Sequence, residues 1–209
     1  MGEHLYTYID PPNEKHLKRI AFLLSGGSIL ALPMGSSWAF CCDASSRKGI
    51  LGMYALKPAH PKNRPFSLIC SDISMASGMA NIGPQSYRLL KKAWPGGYTF
   101  ILKSSRLLPK RLKDKRENVG IRIPDEEITL EIIRYYGKPL AATTVPRDQN
   151  GESLQMGYQV FDVFGHALDL VVDIGAELSG KETTIIDLSS GSVELVREGV
   201  GALDILGLE

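Results

Sequence analysis

Apolar residues recur at helical spacing in two long stretches of the chain. The first stretch, which Asn13 can cap and Gly26 can end, places Leu17 and Leu24 on one face. The second runs over residues 125–136, with three isoleucines on its inward face. Weaker helical patterns are predicted for residues 46–56, for a short segment after Asp72 and for the segment from Pro84 to Pro95. The sequence therefore predicts five helices.

The other apolar stretches have the length and composition of strands. Residues 28–32 form a continuous apolar run without polar alternation, which is typical of a strand covered on both faces. Further strands are predicted at 65–70, 98–103, 119–123, 140–145, 168–174, 183–188 and 192–197. Because strands and helices alternate without a regular βαβ rhythm, we predict a single α/β domain of the α+β type over residues 1–209. Its helices should pack on a twisted, mixed sheet.

The segment after the first buried strand is unusual in composition. The strand ends at Pro33, and small polar residues, Trp38 and two adjacent cysteines follow. We expect a loop here, and two interpretations of it are open. Loops at the ends of buried strands often form pocket walls in α/β folds. Alternatively, the indole of Trp38 covers the core, since aromatic residues usually act through the area they bury.

Composition narrows the class of protein. The 209 residues carry a formal net charge of +1, so overall charge gives no argument for a polyanionic partner. Three cysteines and four scattered histidines show neither a disulfide framework nor metal-ligand spacing, and we expect no metal site. The polar amino-terminal stretch is unlike a signal peptide, and no apolar run reaches membrane-spanning length. We therefore expect a reduced, cytoplasmic protein without a membrane partner.

Cationic residues are the main candidates for binding chemistry. Arg122 interrupts an apolar strand, and its guanidinium needs an anionic partner. That partner is either a ligand carboxylate or phosphate, or a structural salt bridge to an acid such as Asp125. The loop from Lys57 to Pro65 holds three fixed cations and His60, so it is either an oxyanion-binding loop stiffened by proline or an exposed connection. The densest basic stretch, residues 103–122, is interpreted as a mostly solvated face.

Motifs of nucleotide binding and nucleophilic catalysis do not appear. The glycines at 26–27 precede a strand, so they make neither a dinucleotide-binding turn nor a P-loop. The turn at residues 95–98 leads into a strand and offers the hydroxyl of Thr99. Cys41 and Cys42 are as consistent with small core residues as with reactive thiols. We assign no catalytic residue.

Taken in order, several stretches resemble the YrdC/YciO family of threonylcarbamoyl-adenylate synthase-like proteins, especially its YciO branch. They are GGSILALP, RPFSL after the Lys57 loop, WPGGYTFIL, VGIRIPD, PLAATT, TTIIDL and VELVREGVG. The resemblance implies a twisted mixed sheet around a large, basic, concave cavity. It also implies a relation to enzymes that condense ATP, threonine and bicarbonate for a tRNA modification, and to proteins that bind double-stranded RNA.

The resemblance also implies roles for particular residues. Lys57, Thr99, Thr144 and Arg197 fall on nucleotide-binding positions, with Lys57 at the phosphates. The threonine-like substrate would be bound by Ser36, Trp38, Arg122 and Thr183, with Arg122 on the carboxylate. If RNA binds, basic residues on the rim of the cavity are expected to contact it, and Lys110, Lys113 and Arg116 are the candidates. ATP with Mg²⁺ is then a possible substrate, threonine a possible partner, and no cofactor is expected to be tightly bound. No DNA specificity is expected.

Departures from the family pattern affect the expected activity. A family Thr-Asp pair after the first strand becomes Met34-Gly35, an arginine becomes Ala59, and an asparagine becomes Pro146. Each change removes a polar group from a site that must orient three substrates. We expect a YciO-like protein that binds a nucleotide or double-stranded RNA, with weak, altered or lost synthase activity. The alternatives are an active synthase, in which Arg64 and Lys62 replace the missing arginine, and a non-catalytic RNA-binding module.

Overall fold

The computed structural model describes residues 2–7, 13–61, 64–108 and 110–207. Within these residues the strands are β1 (Glu3–Tyr6), β2 (Leu30–Pro33), β3 (Trp38–Asp43), β4 (Ser67–Ile69), β5 (Tyr98–Lys103), β6 (Asn118–Arg122), β7 (Leu140–Thr144), β8 (Leu170–Asp173), β9 (Thr184–Asp187) and β10 (Glu194–Arg197). The helices are α1 (Glu14–Ser25), α2 (Arg47–Leu56), α3 (Ile73–Met79), α4 (Pro84–Ala93), α5 (Glu127–Tyr136) and α6 (Gly157–Phe164). Short 3₁₀ turns lie at Lys110–Leu112 and Asp204–Leu206.

All ten strands join one mixed sheet in the order β1-β8-β2-β3-β7-β4-β6-β5-β9-β10. The pairs β1–β8, β2–β8, β4–β6 and β5–β9 are parallel, and the other neighbours are antiparallel. The predicted α/β class and mixed sheet are therefore confirmed. The assignment of residues 1–209 to one domain stays a prediction.

Apolar cores cover the sheet on both faces, as the unalternating strand sequences predict. One core contains Phe40 and Phe100, together with residues of α2, α4 and α6. The other is built from α1 and α5 and contains Ile20 and Ile132. Asn13 caps α1 as predicted, since its side-chain oxygen accepts a hydrogen bond of 2.9 Å from the amide of Lys15.

The expected loop after Pro33 is a short turn, and residues 38–43, which were predicted to continue the loop, form a strand instead. A turn at 34–37 joins β2 to β3, with the Met34 amide donating to the Ser37 carbonyl at 2.9 Å. Gly35 has φ +83°, which glycine adopts without steric cost. Residues of β3 are buried on both faces, alternating between the two cores. Strand β1 and helix α6 were also missed by the sequence patterns.

Candidate functional site

Two adjoining cavities lie against the sheet where β5, β6 and β7 approach the β2–β3 turn. The central cavity, about 250 Å³, is lined by charged side chains and hydroxyl groups: Lys57, His60, Arg64, Arg122, Glu182, Arg197, Ser37, Ser67, Thr99, Thr143, Thr144 and Thr183. The adjoining cavity, about 300 Å³, is lined by residues 34–36 of the turn and by Gly96, Gly97, Asp125, Ser179 and Val200. Met34 and Arg122 line both cavities and so separate them. The structure therefore brings most of the predicted ligand residues together.

Arg122 is the most deeply placed cation of the site. Its residue is 7% exposed, at the end of β6. One guanidinium nitrogen donates to the Met34 carbonyl, whereas Nε is buried and has no hydrogen-bond partner in the described part of the chain. Burial lowers the pKa of Arg122 to about 10. No described carboxylate lies within ion-pair distance of Arg122, so the alternative of a salt bridge to Asp125 is wrong.

Lys57 lies at the carboxyl end of α2 and points at the end of β7. Its Nζ donates to the Thr144 carbonyl at 2.7 Å and to the Thr143 hydroxyl at 3.2 Å. Burial lowers the pKa of Lys57, and the negative charge of Glu182 acts in the opposite direction. Lys57 thus keeps its ammonium at the cavity wall while two of its three donors are engaged.

Arg197 anchors the side of the central cavity formed by β9 and β10. Its Nε and Nη2 donate to the Thr183 carbonyl at 3.2 and 2.8 Å, and Nη1 pairs with Glu182 at 2.8 Å. The Thr183 hydroxyl is 2.9 Å from the buried hydroxyl of Thr99. Three predicted residues, Arg197, Thr183 and Thr99, therefore form one connected network.

The β2–β3 turn forms a wall of both cavities. Met34 is 1% exposed, and the buried hydroxyl oxygen of Ser36 has no hydrogen-bond partner among the residues that the structure describes. A Cβ at Gly35 would lie 2.5 Å from the Asp125 carbonyl oxygen. The turn can therefore carry a side chain at 34 or 36, but not at 35 without a shift of the backbone.

Trp38 does not reach either cavity. Its side chain is 1% exposed, lies in the core on the other face of the sheet, and donates from Nε1 to the Gln155 carbonyl at 3.1 Å. Because side chains alternate along a strand, Ala39 points toward the cavity and Trp38 points away. The Trp38 indole therefore covers the core, whereas the pocket-wall interpretation holds for residues 34–37 of the turn.

The loop after α2 is held by aromatic packing. The His60 ring stacks on Phe66 with centroids 4.5 Å apart, and its Nε2 is 2.7 Å from the Arg64 carbonyl. Burial lowers the pKa of His60, which favours the neutral ring near pH 7. Arg64 lines the central cavity, whereas Ala59 is exposed and lines neither cavity. The other proposed replacement for the arginine, Lys62, lies outside the described residues.

The basic connection between β5 and β6 lies away from the cavities. Thr99 and Arg122 are at the cavity ends of these antiparallel strands, and the connection joins the opposite ends. Along β5 this places the connection roughly 13 Å from Thr99. Arg116 is 3.4 Å from Asp114 and 3.8 Å from Asp187 in ion pairs. The three RNA-binding candidates, Lys110, Lys113 and Arg116, thus line neither cavity, and the expectation that they lie on the cavity rim is wrong.

Other candidate chemistry is limited in the described residues. Cys41, Cys42 and Cys70 are buried and free, and burial raises the pKa of Cys42 and Cys70 to about 12. No group of metal-binding side chains is found in the described ranges. Over the same part of the chain, no helix has the length and apolarity needed to cross a bilayer.

Several cavity residues were missed by the sequence reasoning. Glu182 contributes the negative charge of the central cavity, and Thr143, Ser37 and Ser67 contribute hydroxyls. Glu182 directly precedes the TTIIDL stretch, so its position next to Thr183 was a usable signal. The hydroxyl residues depend on strand pairing across β3, β7 and β4, which a sequence pattern does not reveal.

Comparison with known proteins gives consistent matches. The Sua5/YciO/YrdC family model, described as "Telomere recombination", matches residues 23–199. The chain is 28% identical over 202 residues to the uncharacterized protein YciO of Escherichia coli, covering 96% of this chain and 97% of YciO. It is 27% identical over 190 residues to the threonylcarbamoyl-AMP synthase of Bacillus subtilis, covering 90% of this chain and 54% of the synthase.

Solved structures show the same architecture. The crystal structure of E. coli YciO aligns with a TM-score of 0.89 at 27% identity, covering 98% of this chain and 99% of that one. The structure of Pyrococcus abyssi Sua5 complexed with L-threonine aligns with a TM-score of 0.86 at 21% identity, covering 100% of this chain and 61% of Sua5. The second alignment establishes a shared fold only.

Proposed function

We propose that this chain, which belongs to the Sua5/YciO/YrdC family, is a YciO-like protein that binds a nucleotide through its phosphate groups in the central cavity. We further propose that its threonylcarbamoyl-AMP synthase activity is weak, altered or lost. The sequence similarity to a threonylcarbamoyl-AMP synthase and the match to YciO over nearly the whole chain support this proposal.

The observation that carries the proposal is the state of Arg122. A buried cation without a paired anion is costly, and the cost is repaid when an anion binds with good geometry. The guanidinium suits bidentate contact with a carboxylate or phosphate. Lys57 and Arg197 line the same cavity, so they add positive charge for the phosphates of a nucleotide or for the carboxylate of a threonine-like substrate.

The expected loss of synthase activity follows from the β2–β3 turn and the loops beside it. Met34 is apolar and buried where the family pattern has a hydroxyl, and Gly35 has no room for the family's carboxylate. Ala59 is exposed and lines neither cavity. Fewer polar groups are then available to orient threonine, bicarbonate and ATP together, and each missing contact to a charged group typically costs about 1.5–3 kcal/mol.

Calorimetric titration with ATP and with AMP tests the proposal. We expect binding by the unaltered chain and at least about tenfold weaker binding by Lys57→Ala and by Arg122→Met, since each change removes a charge contact. Lys18→Ala is the matched control, because Lys18 is an exposed lysine on α1 away from the cavity. Thermal unfolding checks that each variant is folded. Nucleotide binding that is unchanged in both cavity variants would contradict the proposal.

A further inference from the structure

Glu182 is a carboxylate inside a cavity that otherwise carries fixed positive charges. It precedes β9 and lines the central cavity with Lys57, Arg122 and Arg197. Neither the sequence motifs nor the resemblance gives it a role. Its contacts suggest what it does.

The cations of the central cavity differ in how many of their N–H donors already have protein partners. A guanidinium has five N–H donors, and an ammonium has three. Arg197 makes four contacts with protein oxygens, at distances of 2.8–3.4 Å, and one of these is to Glu182. Among the described residues Arg122, in contrast, donates only to the Met34 carbonyl, and its buried Nε has no partner there. Arg122 is therefore free to take a ligand oxyanion, whereas Arg197 already holds an internal one.

The Glu182 charge also reaches Lys57, whose pKa it raises against the effect of burial. A ligand anion that approaches Lys57 or Arg197 thus meets the field of Glu182, and it does so most directly at Arg197, which lies 2.8 Å from the carboxylate. The Glu182 and Arg197 side chains are 51% and 36% exposed, and ion pairs at such exposure contribute little to stability. The carboxylate can therefore be displaced from Arg197, but a ligand must supply the replacement anion.

We infer that Glu182 sets how many phosphate groups the cavity accepts. With the carboxylate on Arg197, a ligand with one phosphate binds at Arg122 and Lys57 and leaves the pair intact. A triphosphate extends to Arg197 and must displace Glu182 or bear its repulsion. The substrate class that fits the unaltered cavity is then a nucleoside monophosphate, in preference to a nucleoside triphosphate. This inference rests on the proposed function, because it assigns the ligand of the same cavity.

The test compares Glu182→Gln with Glu198→Gln in calorimetric titrations with AMP, ATP and inorganic tripolyphosphate. Glu198 is an exposed carboxylate that lines an open cavity next to Glu182 and forms no ion pair with a described residue, so it controls for the change in net charge. We expect Glu182→Gln to tighten ATP and tripolyphosphate binding about fivefold or more and AMP binding less than about twofold. Glu198→Gln should change each affinity by less than about twofold.

The outcomes distinguish this inference from the proposed function. Equal effects of the two variants, equal effects on AMP and ATP, or weaker ATP binding by Glu182→Gln would overturn the inference while nucleotide binding still stood. If no variant binds either nucleotide, but Glu182→Gln binds tripolyphosphate more tightly than Glu198→Gln, the role of Glu182 stands and the nucleotide function falls. If Glu182→Gln binds no tripolyphosphate, the inference is wrong.

Discussion

The glycine of the β2–β3 turn provides a sharp test of why the synthase pattern is absent here. The family pattern has a carboxylate where this chain has Gly35, so Gly35→Asp is the obvious repair. Gly35 has φ +83°, and its Cβ position lies 2.5 Å from the carbonyl oxygen and 3.2 Å from the carbonyl carbon of Asp125. We expect the repair to destabilise the protein.

Two terms contribute to the expected loss of stability. A residue other than glycine at this φ costs about 1–3 kcal/mol. The contact with the Asp125 carbonyl adds strain, because a backbone atom cannot move as freely as the end of a side chain. Gly137, with φ +74° and nothing within 4 Å of its Cβ position, is a matched control that carries only the first term. We expect a loss of about 3 kcal/mol for Gly35→Ala and about 1 kcal/mol for Gly137→Ala.

Thermal and urea unfolding measure this difference. For a chain of this length, 2 kcal/mol corresponds to roughly 4–8 °C in Tm, which is easily resolved. Gly35→Asp should resemble Gly35→Ala, because the strain arises at Cβ and not at the carboxylate. Equal losses at positions 35 and 137 would refute the reasoning, since the Asp125 contact would then contribute nothing.

Two further predictions concern a buried carboxylate and the basic connection. The Tyr136 hydroxyl donates to Asp43 at 2.6 Å. Burial raises the pKa of Asp43, but the hydrogen bonds from Tyr136 and Ser45 lower it, and the pKa lies below its ordinary value. A carboxyl group whose pKa is lowered by folding stabilises the folded state at pH values above its unfolded-state pKa of about 4. This stabilisation is lost as the pH falls through the lower pKa of the folded state. Tyr136→Phe should therefore cost about 1.5–3 kcal/mol at pH 7 and less at pH 3 in urea unfolding, and an equal cost at both would contradict this assignment. Charge reversal at Lys110, Lys113 and Arg116 should weaken double-stranded RNA binding in filter assays and flatten its salt dependence, while ATP binding stays unchanged. RNA binding that ignores the three changes would place the RNA elsewhere.

Much of the fold could be predicted because local signals agree with the final packing. Helix α1 has a cap, an apolar face and terminal glycines, and all three features are present in the structure. Strand β3 was missed because Trp38–Asp43 is buried on both faces and follows small polar residues, so no alternation marks it as a strand. Strand β1 is an edge strand with mostly exposed residues, which leaves no hydrophobic pattern to detect.

Site residues could be predicted from the sequence where their charge or polarity differs from that of the neighbouring residues. Arg122 stands out as a cation in an apolar strand, and the structure places it between the two cavities. Trp38 was assigned to the ligand because the hairpin was read as a loop, and the alternation of β3 turns its side chain to the other face. Glu182 acquires its role only through pairing with Arg197 across the β9–β10 hairpin, which sequence spacing does not show.

We propose that the central cavity binds a nucleotide and that the synthase activity of this chain is reduced. The most direct measurement is mass-spectrometric quantification of threonylcarbamoyl-AMP formed from ATP, L-threonine and bicarbonate, with the B. subtilis synthase assayed in parallel. We expect this chain to form the product at a rate at least about a hundredfold below that of the synthase, the effect of losing roughly 2.7 kcal/mol of transition-state stabilisation. A rate comparable to that of the synthase would contradict the account.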